Sequence, residues 1–515
     1  VDLGGGTLLP GFIDAHAHPL FAGEQLLRCN LAPAETAAEY VELIVAYARE
    51  HPDQRWITGG GWSMEAFPGG IPDRGLLDSV ISDRPVYLPN RDGHGAWVNS
   101  RALELAGISA STPDPADGRI ERGRRGEPVG CLQDGAMRLV SRLLPELTDQ
   151  DWDRALLLAQ DHLVALGITG WQDAIVGRNT GSADPLDAYL RAAGAGTLLA
   201  TVVGALWWDR DRGLEQVPAL AHGREAGRAG ERSSGADADG RIPPRSGSFR
   251  ATAVKMMLDG VAESHTAAML EPYLDGHGCA TDETGMDFID PAELPRFVTE
   301  LDRHGFQVHF HALGDRAVRN ALDGVAAARD ANPGSRLRHH LAHLQVIHPA
   351  DLARFAALGA TANIQPLWAT HEPQMDELTI PFLGERRAGW QYPFRSLADT
   401  GARLAAGSDW PVSSPNPLEG AHVAVNRSMP RSAGGQGGDP FLPHQGLSLE
   451  AILAAYTSGS AWVNGLEDRV GEIRPGLDAD LVATDADLAT LPPGEICQAA
   501  VTQTWVRGQL AYQRR

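Results

Sequence analysis

The run Ile13-Asp14-Ala15-His16-Ala17-His18 ends an apolar stretch with two imidazoles two residues apart. On a strand, residues i and i+2 face the same way, so His16 and His18 can converge on one ion at the strand's C-terminal end. The pair alone is weak evidence, because this spacing arises by chance, and its weight rests on partners. His309 and His311 repeat the spacing; His311 lies nearer the strand end, whereas His309 reads as a barrel-interior histidine satisfied by its neighbours. His339, His340 and His343 cluster in HHLAHLQ, with His343 closest to the strand end and the other two read as exposed or hydrogen-bonded. Asp409 closes LAAGSDWP, where an acid after an apolar strand is a helix N-cap or a ligand. The histidines favour the ligand.

Lys255 lies in AVKMML and is the only lysine among 44 Lys+Arg, so 44 − 1 leaves 43 arginines. A bare ammonium in an apolar strand carries a heavy desolvation cost. One reading pairs it with a carboxylate such as Asp259 or Glu263. The other has carbon dioxide add to the neutral amine, giving a carbamate whose oxygens can bridge two cations. Arginine cannot do this, because its guanidinium stays protonated and is a poor nucleophile. In a chain that has replaced its other lysines, the carbamate is favoured.

Strand-like runs ending in polar residues alternate with helical stretches through most of the chain, the pattern of a parallel sheet or barrel. The first run spans 8–18 and the next helix about 37–50. Thr148 with Asp151 caps a helix to about Leu166, and the strand GITGWQDA ends on Asp173. Further strands are expected at about 198–205, 251–258, 306–311, 339–345, 360–364 and 402–409. Residues 51–147 form a Gly- and Pro-punctuated excursion, read as a lid or substrate-covering region. Residues 221–248, poor in large apolar side chains, are read as a mobile insertion. The barrel is therefore assigned to 1–465 and a small β unit to 466–515.

With 66 Asp+Glu against 44 Lys+Arg, a net charge of −22 disfavours nucleic acid. The four cysteines, Cys29, Cys131, Cys279 and Cys497, have no C-x-x-C spacing, which suits a reducing cytoplasm better than a disulfide framework. No stretch approaches the ~18 apolar residues of a membrane span, so no membrane partner is expected.

Together PGFIDAHAHP, VKMMLDG, FHALGDRAV, AHLQ and GSDWPV, with GHGAWVNS and VGEIRPGLDADLVATD, resemble the amidohydrolase superfamily in its YtcJ-like, amidohydrolase-3 branch. The resemblance implies a distorted (β/α)8 barrel of the α/β class with a small β-sandwich. It also implies one or two divalent ions, zinc first and iron(II) or manganese(II) as alternatives. His16 and His18 would hold one metal with Asp409, His311 and His343 the other, and carboxylated Lys255 would bridge. Val1 stands where the barrel begins, so the N-terminal share of the sandwich is expected to be missing.

Such a site suits hydrolysis of an amide-type C–N bond, as in an N-acyl or N-formyl amine, by a metal-activated hydroxide. Asp409 would shuttle the proton, and His94 would either donate to the carbonyl oxygen or leaving group or make a structural hydrogen bond. The substrate is expected to be a small molecule, apolar or aromatic if Trp62, Trp97, Trp368 and Trp410 line the pocket. A homodimer is admitted as an assembly. The alternatives are isomerisation, deamination or decarboxylation at the same metal site, or a binding protein without turnover.

Overall fold

A computed structural model describes residues 3–177, 185–233, 247–429 and 438–514. Eight strands, all parallel and in chain order, form the central sheet: β1 (Phe12–Ala17), β2 (Ile168–Val176), β3 (Thr201–Trp207), β4 (Ser248–Met257), β5 (Gln307–Ala312), β6 (His340–His343), β7 (Thr361–Ile364) and β8 (Leu404–Ala406). The ends of the sheet meet just past β8, where the Asp409 amide donates to the His16 carbonyl at 2.7 Å and the His18 amide to the Trp410 carbonyl at 2.8 Å. The sheet is thus nearly closed as a barrel. Gly407 permits that seam: a Cβ there would lie 2.5 Å from the His16 nitrogen.

Helices cover the outside, and Phe12, Ile168, Val202, Phe249, Val308 and Leu341 join the main core. The helix Ala37–Glu50 starts at a Thr36–Glu39 capping box, and Asp149–Ala165 starts at the Thr148–Asp151 box read from the sequence.

Two smaller sheets flank the barrel. A six-stranded sheet runs from Cys29–Asn30 to Pro128–Asp134, beginning before the excursion expected at 51. It has its own core of Tyr40, Ile44, Trp62, Phe67 and Trp97. A four-stranded antiparallel sheet joins Leu8–Pro10 to Leu481–Thr484, Val501–Val506 and Gln509–Gln513. The run expected as one strand over 8–18 is therefore broken at Gly11, whose amide donates to the Asp480 carbonyl at 2.7 Å and whose added Cβ would meet Thr169. The N-terminal three residues of that run contribute a strand to the small sheet, which the sequence had left without one.

The insertion expected over 221–248 divides. Its first part continues the helix Val217–Ser233, which packs against β4, and its end at Ser248 begins that strand. Residues 234–246 lie outside the described residues. Among the described residues, no helix is long and apolar enough to cross a membrane.

Candidate active site

β1 brings His16 to the barrel's C-terminal edge, where its Nε2 lies 3.1 Å from Asp409 Oδ1. His18, one residue beyond β1, puts its Nε2 3.0 Å from the same oxygen. From β6, His343 Nδ1 is 3.8 Å from Asp409 Oδ2, and its ring stacks on Trp368 at 5.0 Å. The His311 ring, on β5, lies 4.5 Å from that of His343, and His94 reaches in from the six-stranded sheet to 5.1 Å from His311. Lys255 sits on β4 in register between Trp207 and His309. His16, His18, His94, Lys255, His311, His343 and Asp409 all line one cavity of about 420 Å³.

The backbone is strained where it presents these groups. His343, Asp409 and Asp134 hold φ of 78°, 58° and 48°, a region that costs non-glycine residues about 1–3 kcal/mol each and persists where surrounding structure enforces it. Gln365 supplies part of that enforcement by accepting from the His343 amide at 2.7 Å. Asp14 supplies more: its carboxylate accepts from the His16 amide at 3.0 Å, the Ser408 amide at 3.0 Å and the Ser408 hydroxyl at 2.5 Å, pinning β1 to the loop after β8.

Electrostatics favour a cation in this cluster. Burial pushes His16 down to about 3, and holds His311 and His343 well below the imidazole range, so all three are neutral. Burial opposes the charge on Asp409, yet the contacts that His16 and His18 make with it keep its carboxyl well below the usual range, so it is ionised. Neutral imidazoles beside an ionised carboxylate are the protonation states a divalent metal requires. His16 Nε2, His343 Nδ1 and Asp409 Oδ1 are also buried without a hydrogen-bond partner. Atoms of these three residues lie within 4.8 Å of one another. Tetrahedral N and O ligands at ~2.1 Å from zinc sit ~3.4 Å apart, so the cluster fits a metal ion. Its tightest part draws on both of the sets that the sequence had assigned to separate metals.

Lys255 is 1% exposed, and burial pushes its ammonium down to about 7 against the opposing pull of Asp409 and Asp173. The carboxylate pairing considered for it is not formed. Asp259 accepts instead from the amides of Ala268, Leu313 and Gly314, and Glu263 from the Thr379 hydroxyl.

Other residues take parts that the sequence did not assign. His309 is not merely packed in the interior: its Nε2 lies 2.7 Å from His16 Nδ1, fixing that ring with Nε2 toward Asp409. Asp134 holds His94 at both ends, its carboxylate 2.6 Å from Nδ1 and its amide donating to the His94 carbonyl at 2.8 Å. Burial works against a charge on His94, but Asp134 outweighs it and raises the imidazole's pKa. The i−2 placement of Asp14 before His16 was a readable signal; Asp134, forty residues from His94, offered none. Of the four tryptophans weighed as pocket-lining, only Trp368 lines it. Trp62 and Trp97 are core residues whose indoles donate to the carbonyls of Leu88 and Asp73, and Trp410 stacks on His162. Trp207, unassigned from sequence, lines the cavity instead.

Barrel, ligand cluster and cavity, taken with the family match and the relatives below, make the chain a metal-dependent hydrolase that acts on carbon–nitrogen bonds. The chain belongs to the amidohydrolase family, whose sequence model matches residues 1–512. It is 29% identical over 525 residues to an N-substituted formamide deformylase from Arthrobacter pascens, covering 100% of this chain and 90% of that protein. It is 28% identical over 526 residues to the YtcJ protein of Bacillus subtilis (strain 168), covering 100% and 90%. Among solved structures, an uncharacterized metal-dependent hydrolase from Pyrococcus furiosus is similar, with a TM-score of 0.65, 25% identity and coverage of 95% of this chain and 89% of that one.

Proposed function

We propose that the protein hydrolyses N-acyl or N-formyl amines, releasing the carboxylic acid and the amine. The observation that carries this reading is the convergence of unpartnered His16 Nε2, His343 Nδ1 and Asp409 Oδ1 in one cavity. The similarity to a formamide deformylase supports the formyl group.

His16, His18, His311, His343 and Asp409 would hold one or two divalent ions, with zinc the first choice. Lys255 would complete the set as its carbamate: a bond forms between Nζ and the carbon of carbon dioxide, and one proton leaves. An amine whose pKa is about 7 supplies the neutral form that reaction needs. A bound ion would supply an activated water and a Lewis acid for the amide carbonyl.

Around it, the chain's own groups move protons and exclude solvent. Asp409 is ionised, so it can accept a proton from the attacking water and return it to the leaving nitrogen. Asp134 fixes the tautomer of His94 by engaging Nδ1, leaving Nε2 to donate to the carbonyl oxygen. Trp207, Trp368, Met257 and Phe288 give the cavity apolar walls, which suit an apolar or aromatic substrate.

Incubation of N-formylbenzylamine with the metal-loaded protein is expected to yield formate and benzylamine, together one water heavier than the substrate. A product of unchanged mass would mean isomerisation and would overturn the proposal.

A further inference from the structure

Arg210 stands three residues beyond β3, on the same edge of the barrel as the ligand cluster, and lines the same cavity. Its guanidinium lies 4.2 Å over the Phe288 ring, which sets its plane, and its side chain is 13% exposed. Arg210 Nη2 and Arg138 Nη2 both reach Asp117 Oδ2, each at 2.7 Å. The only other acid paired with Arg138 among the described residues is Asp211, at 3.7 Å and with a 72% exposed side chain, where solvent screens the contact. Asp134 and Asp211 also act on Arg210 from a distance, but neither forms an ion pair with it, and Asp134 holds His94 through Oδ1. Arg210 Nε is buried without a hydrogen-bond partner.

Two guanidiniums thus share one largely buried carboxylate, its side chain 14% exposed, and among their close contacts a positive charge is left over. The cavity's other arginines are balanced differently: Arg28 has Glu24 at 3.2 Å, and Arg91 lies between Glu65 and Glu372, each at 4.0 Å. The surplus is therefore local. It faces walls of Ile175, Trp207, Met257 and Phe288. Burial holds Arg210 below the ordinary guanidinium value in spite of Asp117, which is what an under-compensated cation in an apolar recess shows. A largely buried cation with donors to spare is completed by an anion, and a planar guanidinium matches a carboxylate best.

We propose that Arg138 and Arg210 form a subsite for a carboxylate that the substrate carries away from its scissile amide. The amide part of this inference rests on the hydrolase reading above; the carboxylate part rests on the arginines alone. The substrate would then be an amphipathic molecule: an amide at the ligand cluster, an apolar or aromatic spacer along Trp207 and Met257, and an anionic end at Arg210. Asp117 would be the internal occupant with which the substrate carboxylate competes.

The test compares N-formylbenzylamine with 4-(formamidomethyl)benzoate on the metal-loaded protein, reading the ratio of their kcat/KM values. Wild type should favour the carboxylate probe by tenfold or more. Arg210→Gln and Arg138→Gln should each lower the ratio by about 30-fold, mainly through KM, as expected for loss of a charged hydrogen bond. Asp117→Asn should raise it, which a merely structural ion pair would not do. The exposed Arg395→Gln, paired among the described residues only with Asp399 at 2.7 Å, should leave it unmoved. A ratio insensitive to both cavity arginines, or one that falls in Asp117→Asn, would overturn the subsite. If neither probe is turned over, equilibrium dialysis of 4-(formamidomethyl)benzoate decides. Binding lost in Arg210→Gln keeps the subsite and removes the hydrolase reading, while binding that is absent or indifferent to Arg210 removes the subsite as well.

Discussion

Lys255 shows how a single side chain can be read from composition and then explained by its surroundings. The sequence marked it because arginine had replaced every other lysine. The fold adds that it is buried and that Asp259 and Glu263 are engaged by other groups. Lys255→Arg, ordinarily mild, is expected to lower turnover by at least 10³-fold and to reduce bound metal. Lys255→Ala should regain part of its activity with added short carboxylic acids, read by steady-state assay; wild-type activity in the arginine variant would refute the carbamate. His309 was legible only as an interior histidine, because its function lies in a contact with His16, 293 positions away in sequence. Removing such a supporting partner typically costs 10–100-fold in metal affinity, so His309→Phe should weaken binding by that factor in competition with a chromophoric chelator.

Strands and their ends decide whether these side chains meet at all. Six of the seven proposed site residues lie within three residues of the C-terminal ends of barrel strands, which is why apolar runs and the spacing along them pointed there. The seventh, His94, comes from the six-stranded sheet, and its anchor Asp134 ends a strand 40 residues later, a pairing that no local pattern encodes. The tryptophans were equally illegible, for a related reason. Trp62 and Trp97 sit beside motifs in the chain, but they face the six-stranded sheet's own core. The seam between β8 and β1 is equally non-local and depends on Gly407 lacking a side chain. Gly407→Ala should force the His16 backbone away from Asp409. Overpacking of this kind costs about 1–3 kcal/mol, and the expected outcome is a lower thermal midpoint together with loss of metal by elemental analysis. A stable, metal-replete variant would show that the seam does not position the site.

At the scale of the whole molecule, the alternation of strands and helices indicated the α/β barrel, while the attachment of the small sheet was hidden. Its first strand, Leu8–Pro10, looked continuous with β1 because both are apolar; only the closeness of Gly11 to Thr169 and Asp480 separates them. Asp480 lies at that junction, its carboxylate accepting from the Arg507 amide at 2.7 Å, and burial pushes its carboxyl up to about 6. The folded state therefore binds the proton more tightly than the unfolded chain. The stability this confers is fully present below pH ~4 and is lost as the pH rises through about 6. At 1.36 kcal/mol per pKa unit, a rise of about two units corresponds to at most about 3 kcal/mol. Asp480→Asn keeps an acceptor for the Arg507 amide. It should therefore match wild type in thermal midpoint at pH 4 and exceed it at pH 8; equal midpoints at both would contradict the linkage.

The site as a whole stands or falls on its metal. The most direct measurement strips the purified protein with a chelator, returns zinc in substoichiometric steps, and follows hydrolysis of N-formylbenzylamine against bound metal. The predicted result is activity that is absent in the stripped protein and rises with occupancy to a plateau at about one to two ions per chain. Full activity in metal-free protein would contradict the account.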